Sequence, residues 1–458
     1  MSSIPLKPLL HTDEKLSTIR EYINQMEDPR SHERYHRFES IIMIMVCASI
    51  GGANDATAID EFAKNRREWF SRLLYLPSGI PAHDTYNRMI NALDTNDLKK
   101  LTELIVEAKL FPDGDQTEKP PSTQVEALVP PSSPEEAKAA AALEEEKKYL
   151  ARQICVDGKK LRAIGRTLVR MYRPSKKLTL NQARVPLGTN EIPVIPMILN
   201  EAGEYVMESI ITGDAINTQT NIVDTIIQLG GDYLLAVKGN QHQLHEDIKL
   251  YLVDMIAGAF PDVDYTFHET KDKGHGRIET RKCWTTTNVG WLYRCHRWKS
   301  LASISVVETT ITTIRNGKEV STTKSYRYYI SSLSVHAQII LALVRNHWGI
   351  ENKLHWLLNV AFHEHIATIR KGKGAQNFAL LRSLALNLLQ NEPSNVSISN
   401  QRAQASFDFQ YLLKVLTGSN IDMRTPTQKV VQLVTKPLDT LFVNALGITH
   451  FVFNSMRM

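Results

Sequence analysis

Two short apolar runs, each ending in an aspartate, constrain this chain more than any other feature. The run ICV in ARQICVDGKK stops at Asp157, and the alternating run EYVMESIITGD stops at Asp214. Period-two alternation and short apolar runs between turn residues read as strands. Ile154–Val156 is therefore the first strand and Tyr205–Thr212 the fourth. Thr167–Tyr172 and Leu178–Val185 lie between them, parted by the turn Arg173-Pro174-Ser175-Lys176. Residues Asn190–Asn200 are apolar at helical spacing, with the helix starting near Val194. Thr218–Leu229 reads as a helix and Tyr233–Val237 as a buried strand. The order is β-β-β-α-β-α-β. Three antiparallel strands followed by parallel additions put the fourth strand beside the first, so the two aspartates stand about 5 Å apart at neighbouring strand ends.

A third carboxylate, Glu351, lies in RNHWGIENKLHW, where helical spacing puts His347, Trp348 and His355 on its face. Three such carboxylates suit two divalent ions about 3.5–4 Å apart, each polarising one oxygen of an in-line phosphoryl displacement. The strand order and the acids together are those of an α/β fold, a ribonuclease-H-like mixed sheet flanked by helices. The chemistry expected is that of a nucleic-acid phosphotransferase.

At 458 residues the chain exceeds one compact core. A net charge of +5 permits a nucleic-acid partner without requiring one. The charge is uneven: Arg152 to Lys177 hold nine Lys and Arg against the single acid Asp157. Such a run is either a solvated face or a phosphate-neutralising one. Four cysteines make no disulfide framework, which suits a reducing compartment. Cys283, Cys295 and His296 lack the paired spacing of a zinc site. His355, His363 and His365 lack HExxH spacing. The longest apolar run, Ile41 to Ile50, is too short to span a bilayer, so no membrane partner is expected.

Residues 1–112 read as an N-terminal helical domain. Its helix starting near Ala82, after the break LPSGIP, carries His83, Asp84, Asn87 and Arg88. It is either a helix-turn-helix reader of duplex DNA or a helical cap. Residues 113–149 are a low-complexity linker, extended in its Pro-rich half and a solvated helix from Pro134 to Lys148. Residues 150–263 form the first part of the core, and 264–334 a β-rich insertion of Thr-, Val- and Tyr-rich runs turning at Asn316-Gly317. Residues 335–392 return to the core as a helix from Val335, capped by Ser334, and a second helix near Ala375–Leu389. Gly349 inside the first of these predicts a close approach, since Gly there costs about 1 kcal/mol against Ala. Residues 393–458 are a C-terminal tail.

Together these stretches resemble the H-repeat-associated family of bacterial insertion-sequence DDE transposases. The stretches are DPR at 28–30, GIPAHDT at 79–85, VDGK at 156–159, NEI at 190–192 and GDA at 213–215. They continue with KGNQ at 238–241, HGRIETR at 275–281, HWGIEN at 347–352 and IRKG at 369–372. They run in family order over about residues 15–417. The resemblance implies a ribonuclease-H-like core with a β-rich insertion between the second Asp and the Glu. It implies DNA strand cleavage and strand transfer dependent on Mg²⁺, with Mn²⁺ as a substitute. By position Asp157, Asp214 and Glu351 match the catalytic and metal-binding triad. The partner implied is double-stranded DNA, as element ends and target, in the bacterial cytoplasm at the nucleoid. Joining two ends needs two active sites, so a DNA-bound homodimer is expected.

The DNA contacts expected are Lys159, Arg166 and Arg170 in the basic run, Lys238 at the end of the fifth strand, and His275 and Arg277 in the insertion. Arg88 on the N-terminal helix joins them, and His347 either meets a phosphate, orients a carboxylate or packs the helix. Trp348 is either core or a stacking platform. The chain departs from the family at Asn359 and His365, where acids are usual, and at Leu358, where lysine is common in related transposases. These departures and the tail keep a second reading open, a catalytically impaired remnant acting only as a DNA-binding protein.

Overall fold

The computed structural model describes residues 14–31, 35–110, 134–162, 164–274, 276–315, 318–367, 369 and 372–418. Its centre is a nine-stranded sheet. The first five strands are β1 (Gln153–Leu161), β2 (Arg166–Arg173), β3 (Leu178–Arg184), β4 (Ile210–Gly213) and β5 (Asp232–Val237). β1, β2 and β3 form an antiparallel meander, and β4 joins β1 in parallel with Val156 opposite Gly213. β5 follows in parallel beside β4. The expected strand order and the expected neighbours are both present.

The fourth strand is shorter than the alternation suggested. Gly203–Tyr205 is a 3-10 turn and Glu208 adopts φ 57°, so Tyr205–Ser209 forms a connection and only Ile210–Gly213 pairs. The Thr- and Tyr-rich segment forms β6 (Thr266–Gly274), β7 (Arg277–Thr286), β8 (Ser303–Arg315) and β9 (Lys318–Ser331). β9 pairs antiparallel with β5, and β8, β7 and β6 follow outward, so these strands continue the central sheet. The turn Asn316-Gly317 and the Pro-rich stretch before Pro134 lie outside the described residues.

Alternation along the strands assigns the two faces. Ile154, Val156, Leu235 and Val237 pack into one core with α8 (Val194–Ala202), α9 (Thr220–Gln228) and α10 (His242–Ile256). Ile210, Leu234 and Ala236 point the other way, into a core with α11 (Ala337–His347). Asp157 has the parity of Cys155, opposite to Val156, and so faces the layer that holds α11. α11 starts at Ala337 with His336 as its N-cap, so Ser334 is not the cap. α12 (Trp356–Val360) and α13 (Gly374–Gln390) complete this layer.

The N-terminal segment forms α1 (Glu14–Gln25), α2 (Phe38–Ile50), α3 (Ala56–Lys64), α4 (Arg67–Leu73), α5 (His83–Ala92) and α6 (Thr95–Leu110). α2 is apolar all round and almost wholly buried, as such a helix must be. No helix among the described residues is long and apolar enough to cross a membrane. These helices share one hydrophobic core with α13 and with α14 (Ile398–Phe407) and α15 (Phe409–Thr417), which occupy part of the expected tail. Phe409 of α15 stacks on Trp69 of α4 at 4.9 Å. Polar residues inside α13 are paired: Asn377 donates to the carbonyls of Ile90 and Leu93, and Asn387 bonds both backbone groups of Thr179. α7 (Pro134–Arg152) has no fully buried residue and runs straight into β1, as the solvated helix expected of that tract, although Tyr149 and Leu150 at its end pack against the α11 core.

Candidate active site

The parallel register of β1 and β4 ends at Val156 and Gly213, and Asp157 and Asp214 follow directly. Asp214 lies just past β4, but β1 continues to Leu161 in its pairing with β2, so Asp157 stands midway along its strand and not at the expected strand end. Their surroundings differ. The Asp157 side chain is 15% exposed, and burial pushes its carboxyl up to about 7, helped by the negative charges of Asp214 and Glu191. Asp214 is 54% exposed; the neighbouring His347, 3.8 Å away, outweighs burial and holds its carboxyl below the usual range. Two like charges side by side on adjacent strands repel unless one is protonated or a cation lies between them.

The helix layer places one histidine on each aspartate. His347 closes α11 with Nε2 3.8 Å from Asp214 Oδ1 and Nδ1 2.9 Å from Thr212 Oγ1. Burial lowers its pKa, but Asp214 and Cys155 outweigh that and hold it above its ordinary value. His355 has Nδ1 3.4 Å from Asp157 Oδ2. Burial, then Arg170 and Lys159, drive its pKa well below the ordinary value. Of the roles expected for His347, contact with a carboxylate is the one this geometry displays.

Glu351 lies between the two histidines, in a π-helical turn spanning Ile350–His355 where the Trp356 N–H donates to the Glu351 carbonyl. The sequence pattern predicts a continuous α-helix here; single π turns recur at functional sites. The wider turn leaves Glu351 exposed while His355 is buried. Among the described residues, no group of three or more His, Cys, Asp or Glu is close enough to hold a metal ion. The two aspartates are neighbours, and Glu351 stands on the segment above them without joining a ready cage. Gly349 has room: a Cβ there would meet no protein atom nearer than 3.8 Å, so of the close packing or DNA approach expected of it, close packing is absent.

A fourth carboxylate escaped the sequence reading. A Cβ on Gly158 would overlap the carboxylate of Glu191, which lies flat against the strand one residue past Asp157. Glu191 sits just ahead of α8, its carbonyl accepting from Val194 and Ile195, and burial and then Asp214 raise its pKa. The stretch NEI contains it, but no spacing links residue 191 to residue 158.

The expected phosphate contacts divide by burial. Arg170 stands directly opposite Asp157 on β2 and is fully buried, with Nη2 2.5 Å from Glu364 Oε1. Lys159 is 10% exposed, bonded to Glu364 Oε2 at 3.2 Å and to the His355 carbonyl at 3.0 Å. Neither is placed to meet DNA, because the helix layer covers the strand face that carries them. Arg166 is half-buried, while Lys238, Arg277 and Arg88 are exposed. Lys238 borders a cleft beside Asp214 that is also lined by Arg327 and Trp348, with the Arg327 guanidinium 4.6 Å over the indole ring. His275 lies outside the described residues. Leu358 is fully buried in the core, His365 is exposed, and the side-chain Oδ1 of Asn359 is buried without a partner among the described residues.

The chain matches the family described as Transposase DDE domain over residues 134–388, more than half its length. Residues 20–103 match the description DDE_Tnp_1-associated. It is 27% identical over 431 residues to "Putative transposase YncI" of Escherichia coli O157:H7, covering 90% of this chain and 98% of that protein. It is 26% identical over 422 residues to "H repeat-associated putative transposase YhhI" of Escherichia coli strain K12, covering 89% and 100%. Among solved structures, a piggyBac transposase synaptic complex with hairpin DNA overlaps 95% of this chain and 85% of that one. Its TM-score of 0.34 and 12% identity are too low to carry an argument.

Proposed function

Because the chain belongs to the Transposase DDE domain family, we propose that it cleaves DNA strands at the ends of an insertion-sequence element and transfers them to target DNA. The observation that supports this reading is the pair Asp157 and Asp214 side by side where the parallel pairing of β1 and β4 stops, beneath the segment bearing Glu351. On this reading the sheet β3-β2-β1-β4-β5 is a ribonuclease-H-like core, β6 to β9 are its insertion, and residues 1–112 contact DNA. The protein acts on duplex DNA at the nucleoid, and a homodimer assembles on paired ends.

The donor set fits a hard divalent ion. Two repelling carboxylates, with Glu191 and Glu351 close by in the fold, offer oxygen ligands only. Mg²⁺ is commonly held by one or two carboxylates while keeping water and phosphate oxygens. Asp157, Asp214 and Glu351 would hold Mg²⁺, or Mn²⁺ in its place, and the bound ions would activate the attacking water or 3′-hydroxyl and polarise the phosphoryl oxygens. His347 lies 3.8 Å from the Asp214 carboxylate and favours its charged form. Lys238 and Arg327 bring positive charge to the cleft next to Asp214, where a phosphodiester has to lie.

The test is strand cleavage on duplexes carrying the element ends, with and without Mg²⁺. Asp157→Asn, Asp214→Asn and Glu351→Gln each keep shape and remove a charge. Cleavage should be lost in all three with DNA affinity retained. Wild-type cleavage in chelator, or near-normal cleavage by any variant, removes the metal role or that residue from the reading.

A further inference from the structure

We propose that His355 is a positioning residue for Asp157, its ring fixed with the proton on Nδ1 by a buried cluster of Glu364, Lys159 and Arg170. This rests on the catalytic reading of Asp157 given above. Period-two alternation puts Asp157 and Lys159 on one face of β1, and the antiparallel register sets Arg170 directly across from Asp157. All three meet the covering layer. There Glu364, without solvent exposure, accepts from Arg170 at 2.5 Å and from Lys159 at 3.2 Å. Lys159 also donates to the carbonyl of His355 at 3.0 Å. The backbone of residue 355 is thereby pinned to β1 two residues from Asp157.

Against an ionised Asp157 the ring has one compatible arrangement. Its side chain is 9% exposed, Nδ1 faces Asp157 Oδ2 at 3.4 Å, and Nε2 is buried with no partner among the described residues. A neutral imidazole carries one proton. On Nε2 that proton would be a buried donor without an acceptor, and the bare Nδ1 would turn its lone pair on a carboxylate oxygen. On Nδ1 it points towards Asp157 Oδ2, 3.4 Å away, and only an acceptor is left unmatched. The π turn makes the placement possible, because its extra residue lets Glu351 face outward while His355 points in. With Oδ2 held by His355, Asp157 presents Oδ1 to an incoming cation in a fixed direction. Groups that orient a metal-binding side chain in this way typically contribute 10–100-fold to metal affinity or activity.

The experiment uses the full chain. Nitrogen-15 spectra of the wild-type histidine rings near neutral pH should show His355 protonated at Nδ1; a bare Nδ1 overturns the proposal. Mn²⁺ affinity is then measured for His355→Leu, which has no donor, and for His355→Asn, whose amide nitrogen can stand where Nδ1 stood. The Leu variant should bind Mn²⁺ about 10-fold more weakly, and Asn should recover most of that loss. Equal Mn²⁺ affinity in wild type and Leu, or equal losses in Leu and Asn, overturns it. If the Leu variant does not fold, the wild-type spectrum and the Asn variant still decide. Absence of Mn²⁺ binding by the wild-type protein would instead count against the catalytic reading, whatever the ring spectrum shows.

Discussion

Arg170 and Glu364 form an ion pair in which neither side chain meets solvent, with 2.5 Å between guanidinium and carboxylate. The pair ties β2 to the residues after α12, under the strand that bears Asp157. Removing one partner strands a buried charge, which costs roughly 3–5 kcal/mol. Arg170→Met and Glu364→Leu should each lower stability by that order, and the double variant by clearly less than the sum. Urea unfolding of the four proteins measures this. Additive losses would mean the two side chains do not act as a pair.

Stability should depend on pH in two opposed windows. Burial works against the Glu364 carboxylate, but Arg170, Lys159 and Arg382 outweigh it and hold its pKa down to about 2. A depressed acid contributes stability in full above its unfolded pKa, near 4.5, and loses it as pH falls towards 2. Asp157 is raised to about 7, so its contribution runs the other way, present below about 4 and lost as pH rises through 7. In chelator at pH 8, Asp157→Asn should therefore melt at a higher temperature than wild type. That advantage should shrink towards pH 4. A pH-independent gain would place the Asp157 carboxyl in a solvated setting.

Gly158 leaves room for the Glu191 carboxylate, and an added methyl group would collide with it. Gly158→Ala should destabilise the fold by about 1–3 kcal/mol, as overpacking commonly does. Glu191→Ala in the same chain should relieve most of the loss. The check is a double-variant cycle on melting temperature, and absence of coupling would show that the two residues do not touch.

On the proposed function, only exposed cations contribute to the salt dependence of DNA affinity. Lys238→Ala should weaken binding and reduce the slope of log affinity against log salt by about 1. Arg170→Met, if folded, should leave the slope unchanged, because its charge is fully buried against Glu364. Binding isotherms across a salt series distinguish the two. A flattened slope for Arg170→Met would mean that β2 becomes accessible when DNA binds.

The N-terminal helices cannot be removed without uncovering α13. Its residues Phe378, Leu381, Leu384 and Leu388 are buried in the core shared with α2 and α6. Deleting residues 1–112 should give a protein that aggregates or lacks a cooperative melting transition. A stable, monodisperse truncation would show that the catalytic part folds without them.

Short-range pattern carried much of this fold. Short apolar runs mark Ile154–Val156 in β1, Ile210 and Ile211 in β4 and Tyr233–Val237 in β5, and α8 starts at Val194 where the apolar spacing becomes helical. The aspartates could be placed on neighbouring strands because alternation and chain reversal are local properties that a window of ten residues expresses, but β1 continues through Gly158, Lys159 and Lys160 to Leu161, so Asp157 lies within its strand and not at its end. The fourth strand misled because alternation continues through Tyr205 to Ser209, where a left-handed Glu208 breaks the pairing.

The basic run shows where such windows end. Sequence alone sets Lys159 on one face of β1 and Arg170 on β2. It does not reveal that this face is covered by a layer arriving almost two hundred residues later, with Glu364 in it. The same holds for Glu191 against Gly158, for His355 against Asp157, and for α13 as the shared floor of the N-terminal helices. Propensity and periodicity are summed over neighbours along the chain and therefore survive in the sequence. Which charge is buried, and which carboxylate meets which histidine, depends on the stacking of distant layers, because desolvation and ion pairing act through space and have no signature along the chain.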